Sequence, residues 1–297
     1  VDLRDQDHAR RVMKRYSQYY DTKTLKMYMG GNRQQRQWIL TAAKEQNIMP
    51  TTEGALDTRY DFTMAIDGYP GQEHAIPVFP LYKDAIALFA QSGIAYTPTL
   101  IVSYNGPFGE NFWYGTEVVY DDPKLRRFTP YEELAGKARR RVRGQRGGGN
   151  DAGWYQRDEY VFDKIAKGAN EIVKAGGRVG VGSHGQLQGL GYHWEMWMLA
   201  SGGMTNFVVL RCGTVFGAEA IGLSMDLGSL EAGKLADFLV LDLNPLDNIR
   251  NTNSVRMVMK NGRLYDGGTL DEVYPRARKT DPVAGTPERP RVGAGIR

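Results

Sequence analysis

Short apolar runs alternate with longer stretches of helical period along most of this chain, and that alternation constrains the fold more than any other feature. Residues 6–20 carry a helix pattern and residues 24–29 a strand pattern; residues 34–47 and 48–53 repeat the pair. A strand ends near His74, residues 81–92 form an amphipathic helix, and residues 95–103 read as a buried strand. A long excursion over 104–157, rich in Gly, Tyr, Trp and Arg, reads as a functional loop, because loops of that length are uncommon in a compact domain. Residues 159–175 predict a helix closed by Gly176-Gly177. A strand over 178–183 follows, then helices over 193–201 and 204–221. Strands joined through helices predict an α/β fold with a largely parallel sheet.

The pattern changes after Asp226. Residues 235–243 and 254–264 read as strands, and Lys260-Asn-Gly-Arg263 is an Asn-Gly hairpin turn. From Arg276 the chain is rich in Pro, Gly and Arg and reads as a disordered tail. Three parts follow: 1–225, 226–275 and 276–297.

Composition excludes several classes. A hydrophobic share of 41% and a charged share of 24% over 297 residues are those of an ordinary globular chain. A net charge of +4 does not imply nucleic-acid binding, and the basic run Lys137–Arg146 before Gly147-Gly148-Gly149 reads as a solvated helix end. One cysteine, Cys212, permits no internal disulfide and reads as a small buried hydrophobe. No run approaches the ~20 apolar residues of a membrane span. The sequence shows no signal peptide and starts at Val1 in polar sequence, which suggests a piece of something longer.

The segment from Gly228 to Asp266 carries the pattern G-x-x-x-x-G-x-x-A-D-x-x-x-x-D over Gly228–Asp242, then V-x-x-V-M-K-N-G. It resembles the end of amidohydrolase-superfamily chains, where strands return from a barrel to a small β-sandwich. Upstream, "GSHGQLQGLGYHWEMWMLASGGMT" resembles the eighth barrel strand, its loop and the next helix. The phrases "DGYPGQEHAIPVFPLYKDAIALFAQSGIAYTPTLIVSYNG" and "DDPKLRRFTP" resemble one branch, hydrolases fused behind a Tol-type β-propeller. The resemblance covers nearly all of residues 20–275. It implies a partial TIM-type (β/α)8 barrel, about strands four to eight, with part of a β-sandwich and a site at the C-terminal strand ends. It also implies that the first barrel strands and a propeller precede this part in the full-length protein, and a periplasmic or secreted location.

The resemblance further implies a divalent metal, zinc foremost, as one or two ions. In the superfamily a His-x-His pair on the first strand supplies two ligands; here the histidines are His8, His74, His184 and His193, and none are two apart. Lys26 in "TLKMYMGG" stands where relatives carry a carboxylated lysine that bridges metals; alternation sets it on the opposite face from Leu25 and Met27. Glu53 in "IMPTTEGALD" stands where the family usually has His. His74 in "GQEHAIP" matches the strand-six His, and His184 in "GSHGQ" stands where many relatives have the Asp that takes a proton from the attacking water. The metal ligands are thus Lys26, Glu53, His74 and His184, with His184 also catalytic. Tyr28, Tyr104, Asn105, His193 and Glu195 are placed at the substrate. Phe108, Trp113, Tyr114 and Tyr120 on the long loop suggest an apolar or peptide-like substrate. Each site residue also has a plainer reading: a surface lysine, a helix-start carboxylate, a structural histidine.

The activity implied is metal-assisted hydrolysis of the C–N bond of a small or peptide-like amide, with water activated by the metal. The competing reading is a non-catalytic scaffold or partner-binding remnant, suggested by the missing His pair and by Glu and His where His and Asp are usual. Half a barrel alone is expected to be inactive and to associate through its edge strands.

Overall fold

A computed structural model describes residues 2–54, 56–117, 119, 122–143 and 155–281. Five strands, β1 (Thr24–Tyr28), β2 (Met49–Glu53), β3 (Gly71–Glu73), β4 (Ala95–Thr97) and β5 (Arg178–Val179), form one parallel sheet in that order. The register aligns Tyr28 with Glu53, Glu53 with Glu73, and Glu73 with Thr97. Helices α1 (Gln6–Tyr19), α2 (Arg33–Glu45), α3 (Thr58–Asp67) and α4 (Lys83–Gln91) precede or connect the first four strands. Asp5 caps α1, and Asn32 with Gln35 forms a capping box on α2. These polar caps fix where each helix starts, and hence how the chain leaves each strand. Among the described residues the parallel sheet is open: β1 and β5 each have one hydrogen-bonded neighbour.

The two longer strands expected after His74 are shorter than their apolar runs. Residues 100–102 turn into a 3₁₀ helix after β4, and residues beyond Val179 leave the ladder. Apolarity marks both segments as buried; it does not separate strand from tight helix. The excursion over 104–157 is not a bare loop. It contains α5 (Gly109–Thr116), α6 (Pro123–Phe128) and α7 (Tyr131–Arg143). Trp113 and Leu125 are buried, and Tyr120 and Gly147-Gly148-Gly149 lie outside the described residues. Helix α8 (Phe162–Lys174) precedes β5; α9 (Leu190–Ser201), α10 (Asn206–Cys212) and α11 (Val215–Ala220) follow it. One helix expected over 204–221 is therefore two, parted at Gly213-Thr214. Cys212 is fully buried and burial pushes its thiol up to about 12, as suits an inert core residue.

Strands β6 (Phe238–Leu241), β7 (Val255–Lys260), β8 (Arg263–Asp266) and β9 (Glu272–Tyr274) make an antiparallel sheet in sequence order. Lys260 pairs with Arg263 across Asn261 and Gly262, both left-handed, so the Asn-Gly turn is there. The patterned glycines have a backbone reason: Gly228 and Gly233 sit at φ +91° and +94°. The patterned Asp237 accepts from Asn261 N at 2.5 Å and pairs with Lys260, tying the strand to the hairpin. Residues 276–281, grouped with the tail in the sequence, lie against this sheet through the bridge of Glu272 with Arg278 and the pair Lys279–Asp271. Residues 282–297 lie outside the described residues. A sandwich needs a second sheet facing this one, and the described residues contain one antiparallel sheet. It meets the larger unit where Trp197 Nε1 donates to Ile249 O at 3.1 Å. Among the described residues no helix is long and apolar enough to cross a membrane.

Candidate functional site

Side chains at alternate positions share one face of a strand, so Lys26, Tyr28, Thr51, Glu53 and Glu73 project from the same side of the sheet. The contacts agree: Thr51 Oγ1 donates to Glu73 Oε1 at 2.6 Å. The opposite face takes Met27, Thr52, Gln72 and Tyr96, all buried beneath the helices.

Glu53 is the centre of the cluster. Its side chain is 2% exposed and closes β2. Lys26 Nζ lies 2.7 Å from Glu53 Oε2. Tyr104 Oη donates to Oε1 at 2.6 Å, and His74 Nε2 is 3.5 Å from Oε2. The His74 ring stacks on Tyr104 at 5.4 Å and meets His184 edge-on at 5.0 Å. The Lys26 ammonium is also 5.6 Å from the centre of the Tyr28 ring. Lys26, Tyr28, Glu53, His74, Tyr104 and His184 are thus gathered at one end of the sheet. Asn105 is beside them, donating its side-chain amide to Pro77 O.

The backbone marks the same place. Met29, His74, Thr99, Asn105 and His184 all have φ between +44° and +67°, on the segments that follow the C-terminal ends of parallel strands. Such residues cost on the order of 1 kcal/mol each and persist where their surroundings over-determine them. The left-handed turn at His74 takes its ring off the pleat of β3.

Charge within the cluster is balanced. Burial alone would push the Glu53 carboxyl up, but the ammonium of Lys26 and the hydroxyl of Tyr104 hold it below the usual range. Burial pushes His74 down to about 4, against the pull of Glu53, so its ring is neutral at neutral pH. A neutral imidazole is the form that binds a metal. Burial pushes Glu73 up.

Two of the site residues expected from the sequence lie elsewhere. Glu195 is fully buried; its oxygens accept Leu100 N at 2.7 Å and Ile101 N at 2.9 Å. Helix α9 turns it into the core, where it anchors the 3₁₀ turn that leads to Tyr104. His193 bonds Thr252 Oγ1 at 3.1 Å, at the junction with the antiparallel sheet. Sequence reasoning passed over Glu73 and Thr51; counting in twos from Glu53 and Lys26 across the register would have found both.

Whether these groups suit a divalent ion can be tested on the donors. His74 Nδ1 is buried without a hydrogen bond, and Glu53 Oε2 faces the Lys26 ammonium 2.7 Å away and the His74 ring. Two ligands each ~2.1 Å from one tetrahedral ion are roughly 3.4 Å apart, and Oε2 and Nε2 stand 3.5 Å apart. The pair fits. The Lys26 ammonium presently supplies the positive charge that Oε2 faces. Among the described residues no group of three or more His, Cys, Asp or Glu converges as a metal site, so further ligands must come from lysine or from outside this set.

A pH effect follows from the buried carboxyls. Burial, aided by Asp57 and Glu53, pushes Asp61 up to about 8 although Gln72 donates to it at 2.5 Å. Burial likewise pushes Glu195 up to about 8. Both stay protonated in the folded chain at pH values where the unfolded chain has lost the proton, so stability falls as pH rises towards 8. His74 and His193, pushed down to about 4, act with the opposite sign, but only below about 6.5. Between pH 6.5 and 8 the carboxyls act alone, and the unfolding free energy should drop by roughly 1–3 kcal/mol. Urea unfolding at three pH values checks this; a flat or rising profile contradicts it, and Asp61→Asn should shallow the slope.

A model of the amidohydrolase family matches residues 32–265. Among curated proteins, 5'-deoxyadenosine deaminase of Methanobrevibacter smithii is 30% identical over 98 residues, covering 26% of this chain and 22% of that protein. Among solved structures, a Xaa-Pro dipeptidase with methionine bound in its active site superposes with a TM-score of 0.60 at 19% identity, over 89% of this chain and 59% of that one. Molinate hydrolase gives 0.60 at 15% identity, over 89% and 56%. Ochratoxinase of A. niger gives 0.57 at 18% identity, over 89% and 56%. The chain therefore spans little more than half the length of these solved proteins and about a fifth of the curated one.

Proposed function

Because the chain belongs to the amidohydrolase family, we propose that its cluster around Glu53 is part of the active site of a metal-dependent hydrolase acting on the C–N bond of a small or peptide-like amide. The observation that carries this reading is the pair of buried donors, Glu53 Oε2 and His74 Nε2, 3.5 Å apart at the strand ends. Glu53 and His74 would hold the ion, with Lys26, as its carboxylated form, as a further ligand. Zinc, when bound, supplies Lewis acidity: it polarises a carbonyl and brings the pKa of water towards neutrality. His184, on the loop after β5, is the group to take a proton and later return one to the leaving nitrogen. Tyr104 holds the Glu53 carboxylate in place by its hydroxyl and His74 by its ring. Tyr28 and Asn105 stand beside them as substrate contacts.

The sequential parallel order of β1–β5 suits strands four to eight of a (β/α)8 barrel, and β6–β9 suit one sheet of an adjoining sandwich. On this reading the remaining barrel strands and an N-terminal propeller belong to the same protein. A scaffold without catalysis is favoured by one observation, the neutralisation of Glu53 by Lys26.

Zinc titration separates the two readings. The hydrolase reading expects close to one zinc or more retained per chain, and His74→Ala lowering the affinity at least tenfold. A folded protein that takes up no zinc, or binds it equally well without the imidazole, supports the scaffold instead.

A further inference from the structure

A second concave site lies at the junction of the two sheets. A cleft of about 290 Å³, open to solvent on one side, is lined by α6, residues 188–190, His193 on α9, the start of β7 and the turn after β8. None of Lys26, Glu53, His74 or His184 lines it. Its walls combine apolar side chains, among them Phe128, Leu190 and Leu270, with polar ones that include the ionisable His193, Lys124 and Asp122 and the neutral Thr129, Gln188 and Asn253.

The hydrogen bonds of Thr252 favour one tautomer of His193. Thr252 Oγ1 donates its single proton to Ile249 O at 2.9 Å. It accepts from Trp197 Nε1 at 3.1 Å. With its one proton on Ile249 O, it accepts from His193 Nδ1, 3.1 Å away. Nδ1 therefore bears the hydrogen and Nε2 carries an open lone pair. The ring stays neutral, because burial, with the nearby Lys124 ammonium, pushes it down to about 4.

Lys124 supplies the complementary donor. Its ammonium gives one proton to Val255 O. Among the described residues it has no carboxylate partner within ion-pair distance, so protons remain to donate. Asp122 spends Oδ1 on capping α6 at Leu125 N, 2.8 Å away, yet its negative charge also lines the cavity. A full anion is repelled by Asp122 and a full cation by Lys124. The favoured guest is neutral, with one group that both donates and accepts, on an apolar body. The volume sits at the lower end of small-molecule sites, which suits a one-ring compound of about ten heavy atoms.

We propose that this cavity binds a small phenol or aryl alcohol, its hydroxyl donating to His193 Nε2 and accepting from Lys124 Nζ, its ring lying among Phe128, Leu190 and Leu270. The site is independent of the hydrolase reading and stands whether or not the Glu53 cluster is catalytic.

The test uses 4-ethylphenol against 4-ethylanisole, which keeps the shape and loses the donor proton. Each is titrated into the whole chain with heteronuclear NMR of the histidine ring nitrogens. Saturable binding of the phenol, a shift of the His193 Nε2 resonance, and at least tenfold weaker binding of the anisole are expected. His193→Phe should weaken the phenol at least tenfold, and Leu270→Trp, which fills the cavity, should abolish binding. Equal binding of the two compounds, no saturable binding of the phenol, or a shift at another histidine alone overturns the proposal. The comparison of ligands on the unaltered protein decides the matter even if a variant fails to fold.

Discussion

Glu53→Ala is expected to destabilise the protein by about 2–3 kcal/mol and to lower zinc affinity at least a hundredfold. Breaking a buried ion pair by removing one partner typically costs ~3–5 kcal/mol, because the other charge is stranded. The loss here is smaller, since the Lys26 side chain is 41% exposed and reaches water. The larger share falls on Tyr104, whose hydroxyl loses its acceptor 2.6 Å away inside the cluster. Glu53→Gln separates these contributions: it keeps an acceptor for Tyr104 but removes the charge facing Lys26 and any metal. Urea unfolding should therefore show Glu53→Gln closer to the parent than Glu53→Ala, while zinc affinity falls in both. Zinc binding undiminished in Glu53→Ala would remove Glu53 from the proposed ligand set.

Glu195→Ala should be the more damaging change to the fold, at about 3–4 kcal/mol. The carboxyl is fully buried and satisfies two backbone N–H groups, Leu100 and Ile101, which no longer reach water. Orphaning buried donors costs ~1–3 kcal/mol each, and the deleted side-chain atoms leave a cavity besides. The effect is directional. These two amides begin the 3₁₀ turn after Thr99, itself left-handed at φ +51°, and that turn runs on through Ser103 to Tyr104. Amide exchange at Leu100 and Ile101 should accelerate more than exchange in β1 or β2. A midpoint unchanged from the parent, or uniform acceleration across the molecule, would argue against an anchoring role.

Much of this was legible in the chain because it rests on local rules. Strand–helix alternation set out the parallel sheet through β4, and the Asn-Gly turn set the β7–β8 hairpin, since both depend on neighbours a few residues away. Lys26, Glu53, His74 and His184 could be singled out only through the resemblance to a known family, whose ligands stand at strand ends. The helices hidden in 104–157 were not legible: their turns mix glycine and aromatic residues, and burial of Trp113 and Leu125 by distant segments makes them helical. The split after β4 was also invisible, because Leu100-Ile101-Val102 is as apolar as any strand.

What the sequence determined, then, is the alternating plan, because periodicity and turn chemistry act over a few positions, and, through resemblance to known chains, the family and the residue types available for chemistry. What only the tertiary structure decided is which of those residues meet. Glu195 and His193 stand two apart on one helix, yet one is turned into the core to hold a backbone turn and the other faces the junction of the sheets. Glu53 and Tyr104, 51 positions apart, are joined by a hydrogen bond of 2.6 Å from the tyrosine hydroxyl. The register of parallel strands and the left-handed turns at their ends set those meetings, and both depend on packing that no local stretch of sequence encodes.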